Sequence, residues 1–163
     1  MGTRFLRSVA SEVDVETVFA VLSGEHWADQ KARYLGDGSR LLRREVTPEG
    51  GVTLVMSREL PSGVPAFLQR FLPADRRVTT TDVWGPLQDG ARRGTWKAEI
   101  AGAPAKLSGT MRIDPTPEGN QHTIEGEVKV SVPLIGGKTE SFIAEQVVRL
   151  ADAEAEVVRK ILS

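Results

Sequence analysis

Hydrophobic and polar positions recur along this chain with two different periods, and the switches between them mark its elements. Thr3 to Val9 reads as a strand. Ser11-Glu-Val-Asp14 then supplies capping side chains ahead of Val15, Val18, Phe19 and Leu22, which share one helical face. A helix over about Val15 to Leu22 follows and is broken by Gly24. Trp27, Lys31 and Tyr34 form a second, shorter helical stripe closed by Gly36. Arg40 to Val46 and Val52 to Leu60 read as strands joined by a Pro48-Glu-Gly-Gly51 turn.

Beyond Pro61 the helical period returns in Val64, Phe67, Leu68, Phe71 and Leu72, with Pro65 in the first turn and Pro73 past the end. The pattern predicts a short amphipathic helix over 64–72, inserted between strands. Strands resume at about Val78 to Trp84, Gly94 to Ile100 and Lys106 to Ile113, separated by Gly85-Pro86, Asp89-Gly90 and Gly102-Ala-Pro104. The cleanest alternation sets Ile124, Gly126, Val128, Val130 and Val132 against Glu125, Glu127, Lys129 and Ser131. Thr139 to Leu162 then carries Ile143, Val147, Leu150, Val157 and Ile161 at three- and four-residue steps without an internal Pro or Gly, which predicts a long helix. No repeat or linker divides the chain, so residues 1–163 read as one α+β domain: antiparallel strands curved around a long C-terminal helix.

That order, with the opening Asp14-x-x-x-Val18-Phe19-Ala20-x-Leu22, resembles the START-like or helix-grip superfamily, which includes polyketide cyclases, lipid-transfer domains and birch-pollen-allergen-like proteins. The resemblance spans the whole chain. More narrowly, Leu60-Pro61, Phe71-Leu72-Pro73, Leu107-Ser108-Gly109 and Val130-Ser-Val-Pro-Leu-Ile-Gly-Gly-Lys-Thr-Glu140 are similar to an uncharacterised, mostly actinobacterial family of that superfamily. No established activity comes with the family. The resemblance implies a cavity between sheet and long helix, suited to an apolar or amphipathic small molecule such as a lipid or polyketide.

Composition narrows the partners. The 21 basic and 22 acidic residues nearly cancel, so no net field steers the chain onto nucleic acid or anionic lipid. With no cysteine there is no disulfide framework, thiolate metal site or cysteine nucleophile. The N-terminal residues lead straight into Arg7 and Ser8 without an apolar stretch. A cytoplasmic protein without stable membrane insertion is expected, monomeric or weakly dimeric, with no obligatory cofactor or metal. Gly137-Lys138-Thr139 mimics the end of a phosphate-binding loop, but Val132 stands where the first glycine belongs and Pro133 lacks an amide; Lys138 is expected in solvent.

His26 and His122 have no acid, nucleophile or metal-ligand partner at a recognisable spacing, and are expected at the surface or at a strand end. A sharper feature lies on the last helix, where the stripe Glu140, Ile143, Val147, Leu150, Glu154, Val157, Ile161 puts a carboxylate midway along the inward face. Strand parity gives Glu154 a possible partner in Arg58, which shares a face with Val52, Leu54 and Met56, and Asp82 joins them if Val78, Thr80 and Trp84 face inward. Charges so placed must be paired, hydrated or neutralised. Two readings stand: Glu154, Arg58 and Asp82 anchor a ligand's head group, or the helix is rotated and Glu154 sits at a wet edge. Met56, Trp84, Trp96, Met111 and Phe142 are expected to line the cavity or to form ordinary core, and Val64, Phe67 and Phe71 to cover its mouth as a lid. The pairs Arg43-Arg44, Arg76-Arg77 and Arg92-Arg93 read as solvated surface. The expected function is therefore binding of an apolar or amphipathic small molecule. The alternatives are a cyclase or hydratase in which Glu154 or Asp82 serves as acid or base, and an interaction module with no ligand cavity.

Overall fold

Short connections leave most of these strands no option but to pair with their neighbours in the chain. The computed structural model, which describes residues 2–61, 63–70, 72 and 74–163, contains β1 (Thr3–Ser11), α1 (Val15–Leu22), α2 (Trp27–Leu35), β2 (Arg40–Val46), β3 (Val52–Glu59), α3 (Ala66–Gln69), β4 (Arg77–Trp84), β5 (Arg92–Glu99), β6 (Ala105–Thr116), β7 (Gly119–Val130) and α4 (Gly136–Leu162). The element order is the expected one. β2 to β7 form an antiparallel meander, and β1 departs from chain order by pairing with β7 in the seven-stranded sheet β1-β7-β6-β5-β4-β3-β2. α1 and α2 must therefore carry the chain from one edge of the sheet to the other. They cross the same face on which α4 lies against β1 and β7.

The local signals act as anticipated at the helix ends. The Asp14 carboxylate accepts the Thr17 N–H at 2.8 Å and caps α1. Gly36 ends α2 at a φ of 64°, a left-handed conformation that favours glycine. α4 begins three residues earlier than its pattern implied. Its start is fastened by Glu140, a buried carboxylate that accepts the Val130 N–H at 2.9 Å and the Thr3 hydroxyl at 3.1 Å. The family-like Lys-x-Glu segment thus ties the long helix to the ends of β7 and β1.

Across the sheet, Leu54, Asp82, Trp96, Gly109, Gly126 and Phe5 stand in one register row. Paired residues share a face, and Leu54 is wholly buried, so the row points inward. The Trp96 indole lies down over the glycines: its Nε1–H donates to the Glu125 carbonyl at 3.2 Å, and its ring meets Phe5 at 5.8 Å between centroids. A Cβ at Gly126 would fall 2.6 Å from the indole and 2.6 Å from the Ser108 carbonyl oxygen, and one at Gly109 would fall 1.9 Å from the Glu125 oxygen. Trp96 touches both clusters of the interior. One packs α1 and α2 against Leu54, Met56, Trp84, Met111 and Ile113; the other gathers Val78, Ala98, Leu107, Val128 and Ala144 under the first half of α4.

Two expectations need correction. Arg92 is buried, with its guanidinium 3.8 Å from the Phe19 ring centroid and paired with Glu16 at 2.8 Å. Its parity with Gly94 and Trp96 aims it inward, and the carbonyls of Gly50 and Gly85 accept its remaining hydrogen bonds. The insert helix predicted over 64–72 shrinks to the single turn Ala66–Gln69, from which Leu68 reaches the cavity, with Val64 and Leu72 reaching it from outside the helix. Phe71 lies outside the described residues. Lys138 is exposed, its ammonium 5.2 Å from the Phe67 ring centroid.

The glycine row supplies a test. Gly126→Ala must push a Cβ against both a backbone oxygen and the indole, so urea titration is expected to show a loss of roughly 2 to 4 kcal/mol, against about 0.5 kcal/mol or less for Gly137→Ala, where the added methyl meets open space.

Candidate functional site

Under the first half of α4 the interior is hollow. A cavity of about 900 Å³ opens between the second cluster, the helix and the insert, walled by Val78, Ala98 and Leu107 from the sheet and by Ile143, Val147 and Leu150 from α4. Small side chains explain the space: Ala98 on β5 and Ala153 on α4 stand where larger residues would touch. Val64, Leu68 and Leu72 of the insert close one side. Among the expected residues, Arg58, Phe142 and Val64 line this cavity, whereas Phe67 lies off its wall against Lys138. Met56, Trp84 and Met111 are packed in the other cluster, because the α1 side chains, Phe19 above all, fill that half; Phe19 meets Trp84 edge-on at 5.6 Å. Trp96 stands between the two halves.

A polar cluster adjoins the cavity. Glu154 faces inward, but its partner is Lys31 of α2, at 3.3 Å, and not Arg58. α2 lies along α4 and delivers the ammonium from the helical layer, a direction that strand parity cannot reveal. Lys31 is buried, with its ammonium 5.3 Å from the Trp27 ring centroid. Asp82 points inward from the centre of the sheet. Burial pushes its carboxyl up to about 6, against the pull of Lys31 and with the help of Glu154. His122, inward on β7 beside Trp84, is driven down to about 4 by burial, with Glu154 pulling the other way, and its Nε2 is buried without a hydrogen-bond partner among the described residues. Burial also lowers the Arg58 guanidinium from its ordinary range, opposed by Glu154 and then Asp37. Titratable groups from three strands, β3, β4 and β7, and from α2 thus converge on Glu154 of α4.

Lys31 and His122 are not among the site residues that the sequence suggests, although each carries a signal. Lys31 interrupts an otherwise aromatic helical stripe. His122 has the parity of Ile124, Gly126 and Val128, which places it on the inner face; it lies near the start of β7, as a strand-end residue would, but not at the surface. No cluster of three or more metal-ligating side chains occurs among the described residues, nor is any described helix long and apolar enough to cross a membrane.

Comparison with known proteins agrees with this architecture. The model of a family described as "Protein of unknown function (DUF2505)" matches residues 7–162. The uncharacterized protein Rv0481c of Mycobacterium tuberculosis is 29% identical over 164 residues, covering 94% of this chain and 93% of the relative. Among solved structures, a norcoclaurine synthase point mutant from Thalictrum flavum, in complex with a transition state analogue, matches with a TM-score of 0.63 at 14% identity, over 100% of this chain and 98% of that chain. A START superfamily protein from Mycobacterium smegmatis matches with a TM-score of 0.57 at 14% identity, over 97% of this chain and 98% of that one. At such identities the likeness is one of fold, and the fold is the START-like helix grip that the element order implied.

The polar cluster makes two predictions. Removing the carboxylate in Glu154→Leu strands a buried ammonium, so a loss of roughly 3 to 5 kcal/mol is expected in urea titration, largely recovered when Lys31→Met is added. The second concerns pH. Asp82, with its folded pKa raised from 3.8 to about 6, adds stability below pH 3.8 that disappears as pH rises through 6. His122, lowered from 6.5 to about 4, adds stability above pH 6.5 that disappears as pH falls through 4. The two slopes oppose each other between about pH 4 and 6. Asp82→Asn should therefore gain up to about 3 kcal/mol over the parent above pH 7, a gain that vanishes near pH 4. Parallel stability profiles for parent and variant would refute the burial of this carboxyl.

Proposed function

Because the chain belongs to the DUF2505 family and carries a START-like fold, its activity is to be sought in the interior between sheet and helix, and we propose that it binds an apolar or amphipathic small molecule there. The observation that carries this reading is the cavity of about 900 Å³ with predominantly aliphatic walls. Protein interiors are otherwise close-packed, and each side chain facing a void forfeits contacts, so a hollow of this size in a domain of 163 residues is a costly feature without an occupant. Its volume also falls in the range of small-molecule sites, about 300 to 1,000 Å³, which counts against a purely surface-acting interaction module. That a norcoclaurine synthase of this fold has been solved with a transition state analogue supports the fold's capacity to hold a small molecule.

The insert is the proposed cover. Val64 and Leu68 reach the cavity, yet the segment holds itself together by local polar bonds, the Gln69 amide donating to the Val64 carbonyl at 2.8 Å and Arg76 to the Gln69 oxygen at 2.6 Å. A segment with few apolar anchors opens at low cost, as lids must. Binding is preferred over acid–base catalysis because Asp82 and Glu154 stand beside the cavity and not on its wall.

An uncharged fluorophore, N-phenyl-1-naphthylamine, is the appropriate probe. The parent is expected to bind it with a blue-shifted emission, and Val147→Trp, which fills the cavity from α4, to weaken binding at least tenfold. Val64→Ser with Leu68→Ser should speed entry and release more than it changes the urea midpoint. An unshifted emission with the parent would overturn the reading.

A further inference from the structure

Arg58 is the cavity residue whose situation simple apolar binding leaves unexplained. It stands next to the end of β3, pairs in register with buried Val78, and lines the cavity. A guanidinium carries five N–H donors, and one that is largely withdrawn from water ordinarily finds partners for them; Arg58 is half-buried. Yet no hydrogen bond or ion pair joins Arg58 to another described residue. Its neighbours show how this fold treats inward arginines when their role is structural. Arg77 donates to the Ser57 hydroxyl at 2.6 Å and to the Gly38 carbonyl at 2.7 Å, and Arg92 is held by Glu16 and two carbonyls. Of the carboxylates that act on Arg58 through space, Glu154 pairs with Lys31, and Asp37 gives Oδ1 to the Ser39 N–H at 2.9 Å while its buried Oδ2 makes no hydrogen bond to Arg58.

We propose that the ligand is an amphipathic carboxylic acid whose carboxylate is received by Arg58 while its apolar body lies along Val78, Ala98, Leu107 and Val147. The proposal rests on the binding reading above and adds the chemistry of the head group. The charges on the cavity wall favour one negative charge: Arg58, Arg76 and Arg149 stand against Asp37 and Glu59, and Glu59 is further offset by Arg77 at 3.8 Å. A planar monoanion matches the guanidinium fork in two parallel hydrogen bonds. A phosphate dianion would meet the fields of Glu154 and Asp37 with twice the charge, and is disfavoured.

The test is displacement of the neutral naphthylamine probe by decanoate, decan-1-ol and decyl phosphate. With the parent, decanoate is expected to displace the probe at a concentration at least tenfold below that of the alcohol and below that of the phosphate. In Arg58→Met the ratio of acid to alcohol displacement should fall to within about twofold, whatever the change in probe affinity, and in Arg93→Gln, an exposed arginine off the cavity wall, the ratio should persist. If acid and alcohol compete equally with the parent, the head-group assignment is overturned and the cavity reading stands. A preference that survives Arg58→Met, or one that moves to decyl phosphate, overturns the assignment likewise. Failure of the parent to bind the probe overturns both. Asp37 retains a buried Oδ2 without a partner, and if it neutralises Arg58 in solution, the acid preference will be absent from the parent and present only in Asp37→Asn, which also overturns the proposal. Should Arg58→Met fail to fold, Arg58→Lys keeps the charge without the fork and is expected to cut the acid preference at least threefold; an unchanged preference there counts against it.

Discussion

A tryptophan laid flat on a sheet needs backbone beneath it with no side chains, and much of this interior follows from that requirement. Trp96 is accommodated because Gly109 and Gly126 follow it in the same register row, so that its indole rests over bare strand and its Nε1–H reaches the Glu125 carbonyl. A ring standing upright would have projected into the centre of the concave face. Lying down, it separates a half filled by α1 and α2 from a half left hollow under α4. The separation is steric, and it divides one curved sheet into a packed half and an open one.

The filled half supplies stability that the hollow half lacks. Phe19, Trp84, Ile113 and Leu54 pack there with little or no exposure, and each such side chain contributes roughly 1.5 to 3 kcal/mol relative to an exposed one. Arg92 joins them because its charge is met by Glu16 and its flat face by Phe19, so an arginine behaves as part of a core. On the other side, Glu140 replaces packing with hydrogen bonds where α4 begins, and fastens the helix at the end where the cavity removes apolar contact. The fold can be open at one place because it is anchored on both sides of the opening.

Between the halves lies the polar cluster, whose logic is electrostatic. One buried ammonium, Lys31, meets one inward carboxylate, Glu154; Asp82 resists ionising and His122 resists protonation because both are taken out of water. Burial therefore leaves His122 neutral beside the Lys31–Glu154 pair, whereas Asp82, at about 6, still ionises by pH 7 and does so at a cost to stability. Arg58 stands outside that balance, on the cavity side.

The order of elements, the capping by Asp14, the stop at Gly36 and the face that Arg58 shares with Leu54 and Met56 were legible in the residues, because they depend on periods of two and 3.6 and on local backbone chemistry, whereas Asp82 depended on which way its strand faced. The burial of His122 and Arg92 is also implicit in strand parity, against the general tendency of polar side chains to face water. Other facts arise only when distant segments meet. That Lys31 and not Arg58 pairs with Glu154 depends on how α2 crosses α4, and a lysine and a glutamate so far apart in the chain share no pattern. The insert's apolar spacing suits a helix over its whole length, yet only Ala66–Gln69 is helical, and the spacing by itself does not say where the helix stops. The cavity itself is a difference between the volume enclosed by sheet and helix and the side chains placed inside. Sequence fixes the second quantity residue by residue, while the first exists only once the sheet has curved.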